Sequence, residues 1–120
     1  MQVETRLSDQ IARYLDLSAS QTKLTAVNMA NVDTPGYRAV GMNFESEMRQ
    51  AMSDVDTDAK TPHPLQLELE DGLVARPDGN NVSMDREGLT LAETQLKFKT
   101  GVALLRLENQ RVMDAIHADK

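Results

Sequence analysis

Apolar positions recur at steps of three and four over the first quarter of the chain. Leu7, Ile11, Tyr14, Leu17, Gln21, Leu24, Asn28 and Asn31 form one stripe, apolar in its first half and more polar in its second. That period predicts an amphipathic helix over residues 7–32. Thr5 or Ser8 can cap its start, and Asp9 suits its first turn. Gln21, Asn28 and Asn31 stand where polar seam residues fix register and partner number.

A longer pattern fills the last third. Leu91, Gln95, Phe98, Val102, Leu105, Asn109, Val112 and Ile116 step by four and three without a slip. Beside them runs a second row: Leu89, Ala92, Leu96, Ala103, Leu107 and Met113. The pattern predicts a helix over residues 83–117, capped by Ser83, with Asp85 and Glu87 in its first turns and Gly88 and Gly101 as weak points. Such a helix is roughly 50 Å long. The first helix can cover only part of it, so two apolar rows ask for neighbours beyond one chain.

The middle, residues 33–82, is patterned differently. Phe44 and Met48 are four apart, compatible with a short helix over residues 44–52. Ser53 to Thr61 has no apolar period and three aspartates, and reads as a flexible loop. It lacks the glycine and terminal glutamate of a calcium hand, so no metal is expected there. Leu65 to Glu70 alternates strictly, Asp71-Gly72 is a turn signal, and Leu73 to Arg76 is the natural return strand. Together they predict a short β-hairpin. The fold expected is mainly α: two long terminal helices around a small flexible middle, in a single domain.

Between the first helix and this middle lies Ala30-Asn31-Val32-Asp33-Thr34-Pro35-Gly36-Tyr37-Arg38. Proline pushes Thr34 out of the α region. Pro35-Gly36 suits the two central positions of a type II turn, with Gly36 at positive φ. The stretch is a rigid helix exit that aims the following segment.

Chemistry is sparse. The net charge of −6 gives no footprint for nucleic acid. There is no cysteine, hence no disulfide, thiolate metal site or cysteine nucleophile. His63 sits between prolines and His117 at a helix end, and the four central and late glycines, 72, 79, 88 and 101, are too scattered to cradle phosphate. No catalytic residue, cofactor, metal or small-molecule substrate is expected, so the chain reads as a non-enzyme. No apolar run is long enough to span a membrane, and the start lacks the pattern of a cleaved signal.

Two motifs point to a family. Asn28, Ala30, Asn31, Thr34, Pro35, Gly36 and Tyr37 stand at the spacing N-x-A-N-x-x-T-P-G-Y, which resembles the signature of bacterial flagellar rod and hook proteins. Asp78, Gly79, Asn80, Asn81, Val82, Asp85, Arg86 and Glu87 are similar to the segment opening the C-terminal helix of a proximal rod member of that family. Met29, Val32 and Ser83 are mild departures. The resemblance covers roughly residues 7–50 and 76–117.

It implies a structural subunit of the flagellar basal body, in the rod that crosses the periplasm as the drive shaft. The two terminal helices would pair as an antiparallel coiled coil. The partners implied are other flagellar rod proteins, copies of itself, the base of the rod at the inner-membrane ring and, transiently, export-gate proteins. Export would proceed from the cytoplasm by the type III route without a cleavable signal. Phe44 and Met48 are similar to the family's export-gate element, though Phe44 reads equally well as a packing residue. The alternative is a soluble helical adaptor or chaperone of the same export system.

Overall fold

The computed structural model of the chain describes residues 5–118. Thr5 is the N-cap of α1 (Arg6–Ala30), its side-chain oxygen accepting from the Ser8 N–H at 3.0 Å. Asn43 caps α2 (Phe44–Asp56) by accepting from the Ser46 N–H at 3.0 Å. Ser83 caps α3 (Met84–His117) by accepting from the Arg86 N–H. Each cap satisfies one of the donors that a helix start leaves open. Two short strands, β1 (Val40–Gly41) and β2 (Glu68–Leu69), pair antiparallel, with Val40 opposite Leu69. The described chain is mainly helical with this one small sheet.

α1 and α3 lie side by side and antiparallel. Asn28, near the end of α1, bonds Glu87 at the start of α3 at 3.0 Å. Thr5, before the start of α1, bonds Glu108 far along α3, also at 3.0 Å. α2 packs on α1, where the Phe44 ring meets Tyr14 edge-on at 5.7 Å between centroids. Lys97 of α3 sets its ammonium over the other side of the contact, 3.9 Å from the Phe44 centroid. The molecule measures 69 × 26 × 21 Å. No described helix is long and apolar enough to cross a membrane.

The seam between the long helices differs from the one the apolar count predicts. On α1 the buried residues are Ile11, Ser18, Gln21, Thr25 and Asn28, while Leu7 is exposed and Leu17 and Leu24 are half-buried. On α3 they are Glu87, Thr94, Gly101 and Glu108, a strict seven-residue repeat. Leu91, Val102, Leu105 and Val112 flank it half-buried, and Gln95, Phe98, Asn109 and Ile116 are exposed. Backbone approach is the cause. A Cβ on Gly101 would stand 2.6 Å from Leu15 Cδ2 and 3.0 Å from Tyr14 Cδ1, so α1 comes closest where Gly101 leaves the α3 backbone bare. The polar seam is tolerable because hydroxyls bond within their own helix: Ser18 to the Tyr14 carbonyl at 2.9 Å and Thr94 to the Thr90 carbonyl at 2.7 Å.

The middle region brings two corrections. Ser53 to Asp56 is not loop but the last turn of α2, with Asp54 and Val55 buried. The Asp54 carboxylate accepts from the His63 N–H and meets the His63 ring at 2.5 Å, which draws the following segment back onto the helix. The hairpin also fails to form. Glu68–Leu69 pairs with Val40–Gly41 instead, the Glu70 N–H bonds the Ala39 carbonyl, and Leu73 to Arg76 forms no strand. An isolated hairpin is marginal in water. A strand already anchored to α1 is the better partner.

Candidate functional site

The two motifs lie fifty residues apart in sequence, and the fold brings them together. The exit turn is built as the sequence predicts: the Tyr37 N–H bonds the Thr34 carbonyl, and Gly36 has φ +75°. Pro35 is exposed at the corner, and Ala30 ends α1 facing solvent. Asn31 ties its amide back to the Val27 carbonyl and accepts from the Thr34 hydroxyl.

The second motif wraps this exit. Asn80 is fully buried and donates to the carbonyls of both Asn31 and Thr34 at 2.8 Å, adding a second bond to two acceptors that each already take a backbone N–H of the turn. The Gly36 N–H bonds the Asp78 carbonyl at 2.9 Å. Gly79, at φ +88°, turns the chain so closely that a Cβ there would be 3.4 Å from the Gly36 Cα. Asn81 accepts from the Ala39 N–H at 2.6 Å and gives its own N–H to the Tyr37 carbonyl. Val82 is buried beneath them, and Asp85 is exposed in the first turn of α3.

Asn28 is the junction. Its amide nitrogen donates to the Val40 carbonyl at 2.8 Å and to Glu87 Oε1 at 3.0 Å. Its oxygen accepts from the Tyr37 hydroxyl at 2.8 Å and the Val40 N–H at 3.1 Å. That is the full capacity of a carboxamide, two donors and two acceptor sites. It joins α1, the exit turn, β1 and α3 at one point.

The electrostatics are those of a closed interior. Burial lifts the Glu87 carboxyl above its usual range, the nearby Glu70 charge adds to the lift, and the Asn28 bond and the Arg86 charge oppose it. Burial and then the Glu87 and Glu70 charges raise the Tyr37 hydroxyl, so it stays a donor. Arg86 stands 3.8 Å from Glu70. Every polar atom of Asn28 and Asn80 is engaged within the chain, so the arrangement holds segments in place.

Sequence reading missed two members. Arg76 crosses to the Val32 and Val82 carbonyls, bridging the exit of α1 to the entry of α3. Glu70 enters from the end of β2. Arg76 stands just ahead of the second motif, a position that offers the only signal. Glu70 closes the alternating run, whose period gives no hint of this destination. Phe44 and Met48 lie apart from the junction, half-buried on the first turns of α2, where Phe44 packs against Tyr14 and Lys97.

No protein-family model matches the chain. Curated relatives do. The flagellar basal body rod protein FlgB of Yersinia enterocolitica is 32% identical over 76% of this chain and 79% of its own length. FlgB of Salmonella typhimurium is 30% identical over 85% of this chain and 86% of its own. FlgB of Escherichia coli K12 is 27% identical over 87% and 88%. With identity at this level across most of both sequences, the chain belongs to the FlgB family of flagellar basal body rod proteins.

Proposed function

We propose that the chain is a structural subunit of the bacterial flagellar basal-body rod, and that it assembles with other rod proteins and with copies of itself after type III export. The relatives' names support the place. One observation carries the mode of action: Leu89, Leu96 and Leu107, three leucines on the side of α3 away from α1, are 61%, 67% and 58% exposed. A row of large apolar side chains along a long helix marks a surface meant to be covered. The antiparallel pair of α1 and α3 acts as a coiled coil, whose polar seam sets register while its outer row supplies adhesion. The junction around Asn28 fixes where α2 and the sheet leave that pair.

The subunit sits at the base of the rod by the inner-membrane ring and acts without a cofactor or substrate. Export-gate proteins would engage Phe44 and Met48 only in the unfolded chain, since in the fold Phe44 is held by Tyr14 and Lys97. Cells carrying Gly36→Val test the reading. A β-branched residue at φ +75° is strained by about 1–3 kcal/mol. Such cells should secrete the subunit but build few rods and swim poorly. Wild-type protein should co-purify with basal bodies. Protein that stays in the soluble cytoplasmic fraction would instead identify an export adaptor.

A further inference from the structure

Resting on that reading, we infer that the outer row of α3 docks on α1 of a second copy, antiparallel to it and at equal height, so that every copy points the same way. Within the chain α1 and α3 already run antiparallel, with Asn28 level with Glu87 and Leu15 level with Gly101. If α3 of one copy also lies antiparallel to α1 of the next, the α3 helices of the two copies are parallel. One direction is then kept through any number of copies.

Two faces of the chain fit each other. Leu89, Leu96 and Ala103 each follow a seam residue of α3 by two positions, about 200° round the helix. Ala12, Ala19 and Ala26 each follow a seam residue of α1 by one position, about 100° round. All six are exposed, and both rows lie outside the contact that α1 and α3 make within the chain. A neighbour set at equal height carries the internal register across. Leu89 then falls on Ala26, Leu96 on Ala19 and Ala103 on Ala12. Each leucine meets a small residue, which lets the helices approach to the 8–10 Å or so of well-packed pairs.

A charge pair closes one edge. Lys23 stands four residues after Ala19, and Glu93 four after Leu89, so each is displaced about 40° from its row in the same sense. Edges of the same sense meet between antiparallel helices. Lys23 and Glu93 therefore stand level with each other across the contact. Both are exposed, and among the described residues neither has an ion-pair partner in its own chain. Along the same edge Asp16 comes opposite Thr100 and Asp9 opposite Leu107. Lys99 and Arg106 fall on the far edge, beside Leu15 and Ser8. The two faces differ, so the contact is heterologous: each copy offers its leucines to one neighbour and its alanines to the other.

The purified chain should self-associate at high concentration. It has no native cysteine, so single cysteines report the register. Differently tagged Ala26→Cys and Leu89→Cys chains should crosslink when mixed, as should Ala19→Cys with Leu96→Cys. Ala12→Cys with Leu89→Cys should not, because Ala12 lies about 21 Å along α1 from Ala26. Lys23→Glu or Glu93→Lys alone should weaken association roughly five-fold, and both in one chain should restore it. Crosslinking of Leu89→Cys to Ala12→Cys in place of Ala26→Cys would overturn the inference. So would a double variant that melts like wild type yet does not regain association. Wild-type chain found in basal bodies, with the cysteine pairs uncrosslinked there, would overturn the inference and leave the rod reading standing. Wild-type chain absent from basal bodies would overturn both.

Discussion

Asn28 makes four hydrogen bonds, to a buried Glu87 and to a half-buried Tyr37 and Val40. Replacing it with Leu would leave Val40, Tyr37 and Glu87 unpaired, at about 1–3 kcal/mol for each group. Asn28→Leu should therefore lower stability by on the order of 3 kcal/mol or more, read as a fall in the urea midpoint at unchanged slope. Glu87 gives a signed test. Its folded carboxyl titrates above 4.5, so the folded chain holds a proton that the unfolded chain releases. The stability it contributes grows as pH falls through the folded value and is complete below 4.5. Glu87→Gln fixes the neutral form, so the variant should melt above wild type near neutral pH, with the gap closing toward acid. A variant melting below wild type at every pH would show that the junction needs the carboxylate. Asp54 has the opposite sign. Burial pushes its carboxyl up, but bonds from the His63 N–H, Gln50 and the His63 ring outweigh that and hold it below 3.8. Its contribution is present above 3.8 and lost as pH falls through the lower folded value, in a window separate from that of Glu87.

Among the elements, the helix starts and the exit turn were legible in the sequence, because caps and Pro-Gly act through local chemistry. Ser83 caps α3 and Gly36 takes positive φ as their types demand. The outer row of α3 was legible too, since it is apolar at the helical period. The seam was not. Counting apolar residues cannot find a contact made of Ser18, Thr25, Thr94, Gly101 and Glu87, and it was Gly101 that chose the face. The strand pairing escaped for another reason: Leu65 to Glu70 carries the pattern of a strand but not the identity of its neighbour. The two helical glycines make a paired test. Gly88 faces open space, so Gly88→Ala should raise the melting temperature by an amount corresponding to up to about 1 kcal/mol. Gly101→Leu should lower it by about 1–3 kcal/mol or more, because the helices must separate. If both changes act alike, the close approach is not what aligns α1 with α3.

The whole molecule is a long body with a polar interior and an apolar outside stripe. Its largest fully buried side chains are Glu87, Asn28, Asn80, Thr25, Thr94 and Ser18. Such an interior contributes less hydrophobic drive than one of leucines and more geometric selectivity. Changing Leu89, Leu96 and Leu107 together to Gln should leave the isolated fold nearly as stable as wild type, since all three are exposed. Motility should nevertheless be lost. Circular dichroism melts and soft-agar swimming check the two halves, and a variant that unfolds would place the row in the monomer's own support. The candidate junction was half legible at this scale: both motifs stood out, but nothing in either named the other as its partner.

The clasp of Asn80 and Arg76 around the exit of α1 has a kinetic side. Its bonds join residues separated by 44 to 49 positions, and Asn28 reaches Glu87 across 59. Contacts of such span must close a large loop before they return anything, and chains dominated by them fold slowly. α1 can coil early by itself, but its end stays unlatched until the start of α3 arrives. A subunit threaded through a narrow channel from either end would thus carry its organising turn open for most of the passage. It would snap shut only when both halves had emerged on the same side. The latch is a built-in delay: the end of α1 takes its one shape only once the start of α3 is there to close on it.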